Sequence, residues 1–145
     1  MTTIPVYGAV VEWSDDGAAF VPIPGAKQVT LPEVSPSFND VTSLDSPDGC
    51  KEYSRGLKDP GEITLGCLYS KELYAAALAK SNAGTPTHFR VTLAAGEDQS
   101  TGDVFGWKAW VTPSLPSADV EGDMMMDLKQ RVTGNMSWTE GAAAV

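Results

Sequence analysis

His88 is the only histidine in the chain, so any imidazole chemistry would have to run through it. A general base needs an acidic proton within reach and a third group that orients its ring. His88 instead alternates with Phe89 in an apolar stretch and has no nucleophile motif near it in sequence, so an ordinary polar surface residue is expected. Cys50 and Cys67 belong to no CxxC or Cys/His pattern, and Cys67 alternates with Leu65 and Tyr69 as a small buried hydrophobe does. Asp45 with Asp48-Gly49 looks like a fragment of a calcium loop, yet the ligand spacing and the terminal glutamate of an EF-hand are missing. Asp119, Glu121, Asp123 and Asp127 have enough oxygens for a hard cation, but acidic residues on a solvated turn are the commoner arrangement. No glycine-rich loop leads into a Lys-Ser/Thr pair or opens a helix in a βαβ setting. The expectation is therefore no catalytic residue, no cofactor, no bound metal and no enzyme.

The elements that frame these residues read as a β protein. Fourteen glycines and ten prolines cut the 145 residues into short apolar runs, a number of residues that suits one domain with a real core. Residues 8 to 13 and 18 to 22 read as a hairpin around Asp16-Gly17. Residues 26 to 34 alternate through Val29 and Leu31, with Pro32 placing that run at an edge or a bend. Glu62 to Tyr69 gives the cleanest strand. A helix is expected over about 71 to 82, capped by Ser70, with Leu73, Tyr74, Ala77 and Leu78 on one face and Gly84 after its end. Strands follow over 87 to 95, 103 to 112 and about 125 to 140, the last alternating through Leu128, Val132, Met136 and Trp138. Trp110 falls beside Lys108 on the polar side of its strand, where an aromatic calls for a covering neighbour. Met124, Met125 and Met126 are either strand core or an adaptable apolar run that packs, with Trp110, at an interface between subunits, and the interface is the favoured expectation.

Charge narrows the function classes. Ten Lys and Arg against nineteen Asp and Glu give a formal net charge of −9, the wrong sign for a surface that grips phosphates. The N-terminus lacks the basic start and apolar h-region of a signal peptide, so synthesis and assembly in a cytoplasm are expected, with both cysteines as free thiols.

One stretch resists the short-loop pattern. Residues 38 to 61 carry Asp40, Asp45, Asp48, Glu52 and Asp59 against Lys51, Arg55 and Lys58, with turn residues at Ser46-Pro47-Asp48-Gly49 and Lys58-Asp59-Pro60-Gly61. A loop of that length in a compact domain is usually a binding element or disordered, and this one reads as a binding element.

The stretch from Phe38 to Tyr69, followed by a helix and a strand series ending in VTGNMSWTE, resembles the tail tube proteins of long, non-contractile-tailed phages and related gene transfer particles. The family's loop pattern, VTxLD…KEYxxGLxDxGxITL, is matched at Val41, Thr42, Leu44, Asp45, Lys51, Glu52, Tyr53, Gly56, Leu57, Asp59, Gly61, Ile63, Thr64 and Leu65. The likeness runs over about residues 25 to 140. It implies a mainly β fold, a β-sandwich with one flanking helix and a long inter-subunit loop, assembled as hexameric rings that stack into a hollow tube in a virion tail. Asp40, Asp45, Asp48, Lys51, Glu52, Tyr53, Arg55, Lys58 and Asp59 would then make the contact between rings. Further partners implied are the tape measure, tail terminator and distal tail proteins, with DNA passing through the lumen unbound and no membrane. The alternative is a monomeric β-sandwich module that binds carbohydrate or a receptor, using exposed aromatics on one face.

Overall fold

The computed structural model describes residues 3–28, 30–116 and 120–143; Val29, Asp119 and the end of the small-residue tail at Ala144 and Val145 lie outside the described residues. The protein is mainly β with one helix, as expected. In chain order the strands are β1 (Val10–Ser14), β2 (Val21–Pro22), β3 (Ser35–Asp40), β4 (Tyr53–Asp59), β5 (Glu62–Leu68), β6 (Thr87–Thr92), β7 (Val104–Ser114) and β8 (Met125–Thr139), with α1 (Lys71–Asn82) between β5 and β6. Six of them hydrogen-bond as one antiparallel sheet in the order β2-β1-β6-β7-β8-β5, and β3 and β4 form a separate two-stranded ladder.

Period-two alternation decides which side of the wide sheet is buried. Trp107, Ala109 and Val111 of β7 point inward with Met126, Leu128 and Val132 of β8, and Phe89 and Val91 of β6 join Val11 and Trp13 of β1. Trp13, Phe89 and Trp107 are register partners on three adjacent strands, and their rings follow one another at centroid separations of 6.2 and 5.8 Å. The face is closed by Ile23, by the partly buried Leu31 and by α1, which packs against β7 through Leu73 and Ala77. Ser70 caps this helix, its Oγ accepting from the Leu73 amide at 3.1 Å. Near the other end, Lys80 lies over the Trp13 ring and reaches Asp15 at 2.8 Å, tying α1 to the β1–β2 turn.

That turn depends on Gly17. Its φ is +78°, and an added Cβ would come within 3.1 Å of the His88 ring. Asp16 organises the rest of the turn by accepting from Ser14 Oγ and from the amides of Ala18 and Ala19 at 2.8, 2.9 and 3.2 Å. These bonds, the Ala18 amide first, hold its carboxyl down at about 2.

Several expectations change on contact with the structure, among them the run over residues 26 to 34, which forms no strand among the described residues beyond an isolated bridge from Ala26 to Cys67. Met126 is fully buried and belongs to the protein's own core, so it offers nothing to a neighbouring subunit. The strand over 125 to 140 keeps its inward alternation only as far as Val132. At Gly134, φ +81°, the β7–β8 register shifts, so that Lys108 faces Thr133 and Gly106 faces Ser137; Trp138 beyond the bulge is exposed. Finally, residues 38 to 61 are not one open loop, because residues 38 to 40 and 53 to 59 are strands of a ladder. The segment is a β-hairpin with a structured tip, and a β-ladder can carry polar residues on both faces when neither face meets a core.

Candidate functional site

The β3–β4 arm projects from the start of β5 with no buried residue in either strand. Its ladder pairs Ser35 with Asp59, Pro36 with Lys58, Phe38 with Arg55, Asn39 with Ser54 and Asp40 with Tyr53, with a register shift between Pro36 and Phe38. At that shift Gly56 lies against Ser37, and a Cβ there would collide with the serine Oγ. The tip is fixed by its own hydrogen bonds. The Val41 amide donates to the Glu52 carbonyl, the Glu52 amide to Thr42 Oγ1, and the Ser43 amide to Ser46 Oγ, at 2.9, 2.8 and 2.9 Å; Ser46 Oγ donates onward to the Glu52 carboxylate at 3.0 Å. Asp40 accepts from the Thr42 amide at 2.9 Å, and its hydrogen bonds to Thr42 hold its carboxyl below the usual range. Pro47–Gly49 forms a single tight turn with Asp48 in the left-handed region at φ 59°.

All nine residues expected to make the inter-ring contact lie on this arm and all are exposed. Asp40 ends β3; Asp45, Asp48, Lys51 and Glu52 occupy the tip; Tyr53, Arg55, Lys58 and Asp59 belong to β4. Among the described residues, Lys51, Arg55 and Lys58 make no ion pair. Apart from Tyr53, the expected contact set is made of charges, and it leaves out the arm's other exposed apolar residues, Phe38, Val41, Leu44 and Leu57, of which Leu44 is completely exposed and Leu57 89% exposed. Two leucines set among charged turn residues, with no alternating partners to share a core face, were the signal available.

Trp110 stands apart from the tip, on the outer face of the wide sheet and 45% exposed. It lies directly across from Arg131, with Thr112 across from Lys129. These residues, with Thr30, Glu62 and Thr64, line a shallow trough at the sheet's β5 edge, beside the base of the arm. Arg131 reaches Glu62 at 3.5 Å and Asp59 at 3.9 Å, long contacts between exposed groups. Met124 is exposed and Met125 half-buried at the start of β8, near Tyr69, whose amide donates to the Met124 carbonyl.

The candidates for chemistry are scattered. His88 is half-buried over Gly17, Cys50 is exposed at the arm tip, and Cys67 is buried, its thiol pushed up to about 11 by burial and then by the Asp127 carboxylate. Among the described residues no three His, Cys, Asp or Glu side chains converge as a metal site, and Asp119 of the acidic turn lies outside them. No helix is long and apolar enough to cross a membrane. Elsewhere on the outer face Arg90 forks onto Glu12 at 3.1 to 3.2 Å and stacks over Phe20, a cluster that the outward phase of Glu12 and Arg90 made findable.

No protein-family model matches the sequence, and no curated protein matches it. Its fold does have solved counterparts. A chain of the PVC sheath–tube complex, from an extracellular contractile injection system in the extended state, is similar with a TM-score of 0.68 at 17% identity, over 95% of this chain and 92% of that one. A chain from the tail of an empty GTA particle with C6 symmetry is similar with a TM-score of 0.65 at 19% identity, over 90% and 94%. The SPP1 tail tube is similar with a TM-score of 0.66 at 12% identity, over 95% and 81%. These likenesses establish that the chain shares its fold, over almost its whole length, with proteins of phage-like tails and injection systems.

Proposed function

We propose that this protein is the structural subunit of a phage-like tail tube, forming hexameric rings that stack into a hollow conduit for DNA. The observation that carries the reading is the arm. A two-stranded hairpin with no core contact of its own is marginal in water, and this one holds five large apolar side chains in solvent. Such an element gains its burial from another molecule. The fold it shares with the SPP1 tail tube and the sixfold-symmetric GTA tail supports a second copy as that molecule.

In this reading the tip residues Asp40, Asp45, Asp48, Lys51 and Glu52, with Tyr53, Arg55, Lys58 and Asp59 of β4, cross from one ring to the next. Trp110, Met124 and Met125 pack between subunits. Each copy brings a net charge of −9, so the assembled tube repels DNA phosphates and lets the genome slide past without binding. Its further partners would be tape measure, tail terminator and distal tail proteins, and the whole would reside in the particle's tail. The protein is a conduit and not a catalyst, consistent with the separation of His88, Cys50 and Cys67. The test is negative-stain electron microscopy of the purified full-length chain. Sixfold rings or tubes are expected; a 15.3 kDa monomer at every concentration would overturn the proposal and favour a monomeric binding module.

A further inference from the structure

The geometry points to the partner of the arm tip: the Trp110–Lys129–Arg131 trough of a second copy. This deepens the tail-tube reading and rests on it. Residues 40 to 52 hold four carboxylates against the single ammonium of Lys51, a net charge of −3, around the fully exposed Leu44. The trough has the opposite character within a chain that is acidic as a whole. Lys129 and Arg131 flank the open Trp110 ring and Lys108 lies two residues along β7 on the same face, against two acids, Glu62 in the lining and Asp59 at the rim, both facing Arg131. An apolar plug ringed by acids thus has, on the same molecule, an aromatic floor ringed by bases.

The tip cannot use its own trough. Arg131 lies 3.9 Å from Asp59, at the base of the arm, whereas the tip begins beyond Tyr53 at the far end of β4. Seven extended residues separate the two by roughly 20 Å at about 3.3 Å each, and the β3 ladder directs the arm outward. The trough therefore receives a tip from another copy, whose own trough is left free for a third. A contact between two different patches of identical chains propagates head to tail, as stacking requires, and closes only where the rotation permits.

Charge exchange tests the pairing. In full-length protein, reversing the trough (Lys129→Glu with Arg131→Glu) or the tip (Asp45→Lys with Asp48→Lys) is expected to raise the concentration needed for tube formation by roughly tenfold or more, because like charges then meet. Circular dichroism melting is expected to be unchanged, since all four residues are exposed. Combining the four substitutions is expected to restore assembly, as is mixing the two double variants. The milder Lys129→Gln with Arg131→Gln serves if the reversed trough fails to fold, and is expected to weaken assembly less. Trough variants that form tubes like the native chain, or a quadruple variant no better than either parent, would overturn the pairing while leaving the tail-tube reading intact. Short duplex DNA that binds the native trough and is lost on its reversal, with assembly unaffected, would overturn it in favour of a nucleic-acid site. A native chain that never assembles removes both the pairing and the reading beneath it.

Discussion

The wide sheet and the β3–β4 arm are built from the same backbone pattern toward opposite ends. In the sheet, alternation sends Phe89, Trp107, Ala109, Met126 and Leu128 to one side, where α1 covers them. In the arm the same ladder geometry presents Phe38, Tyr53 and Leu57 to solvent, the tip adds Leu44, and local hydrogen bonds at Thr42, Ser46 and Glu52 hold the tip in shape. The sheet's apolar groups stabilise the monomer, whereas those of the arm are left in solvent and, in the proposed reading, stabilise the assembly. A subunit that folds first and polymerises later needs this division, because its sticky element must not compete with its core.

The sharpest way to break the comparison is to truncate one side chain in each region. Phe89→Ala is expected to cost the monomer about 3–5 kcal/mol in denaturant unfolding, since it empties a fully buried ring site between Trp13 and Trp107. A smaller value would mean that the aromatic row is loosely packed. Trp110→Ala and Leu44→Ala are expected to leave monomer stability within about 0.5 kcal/mol and to weaken assembly by about 2 kcal/mol each, read as the critical concentration for tube formation. Equal losses in unfolding and assembly would erase the distinction between the regions. The smallest effect belongs to the β1–β2 turn. The folded-state carboxyl of Asp16 sits at about 2, below the ordinary aspartate value of 3.8, so its contribution is present above 3.8 and is lost as pH falls through about 2. Carbon-detected NMR is expected to show that low titration and its loss in Ser14→Ala; an Asp16 titrating near 4 in the native chain would contradict it.

Much of the sheet was legible because one-sided burial writes itself into sequence at period two. Leu65 and Cys67, Phe89 and Val91, and Ala109 and Val111 all face the side their alternation assigns them. The α1 cap at Ser70 was legible for a similar reason, since an N-cap is a local hydrogen bond between neighbours. Met126 was misassigned because a run of three methionines has no phase: only pairing with Cys67 across β5 and β8 shows which of them enters the core. Trp138 failed differently, as the bulge at Gly134 interrupts the alternation four residues before it. Gln130 was invisible. Its position is inward, and a buried amide there is explained only by the Trp107 Nε1 that donates to it at 2.9 Å from the neighbouring strand. The arm's location was readable from its charges and turns, but its pairing was not, because a ladder with two solvated faces leaves no apolar rhythm to detect.

The account stands on the claim that the arm joins subunits while the sheet folds them. Replacing residues 41 to 52 with a two-residue Asn-Gly turn keeps the β3–β4 ladder closed and removes the tip. Electron microscopy of that variant beside the native chain is the most direct measurement. A folded subunit that no longer stacks into tubes is the predicted result, and tubes of normal length would contradict the account.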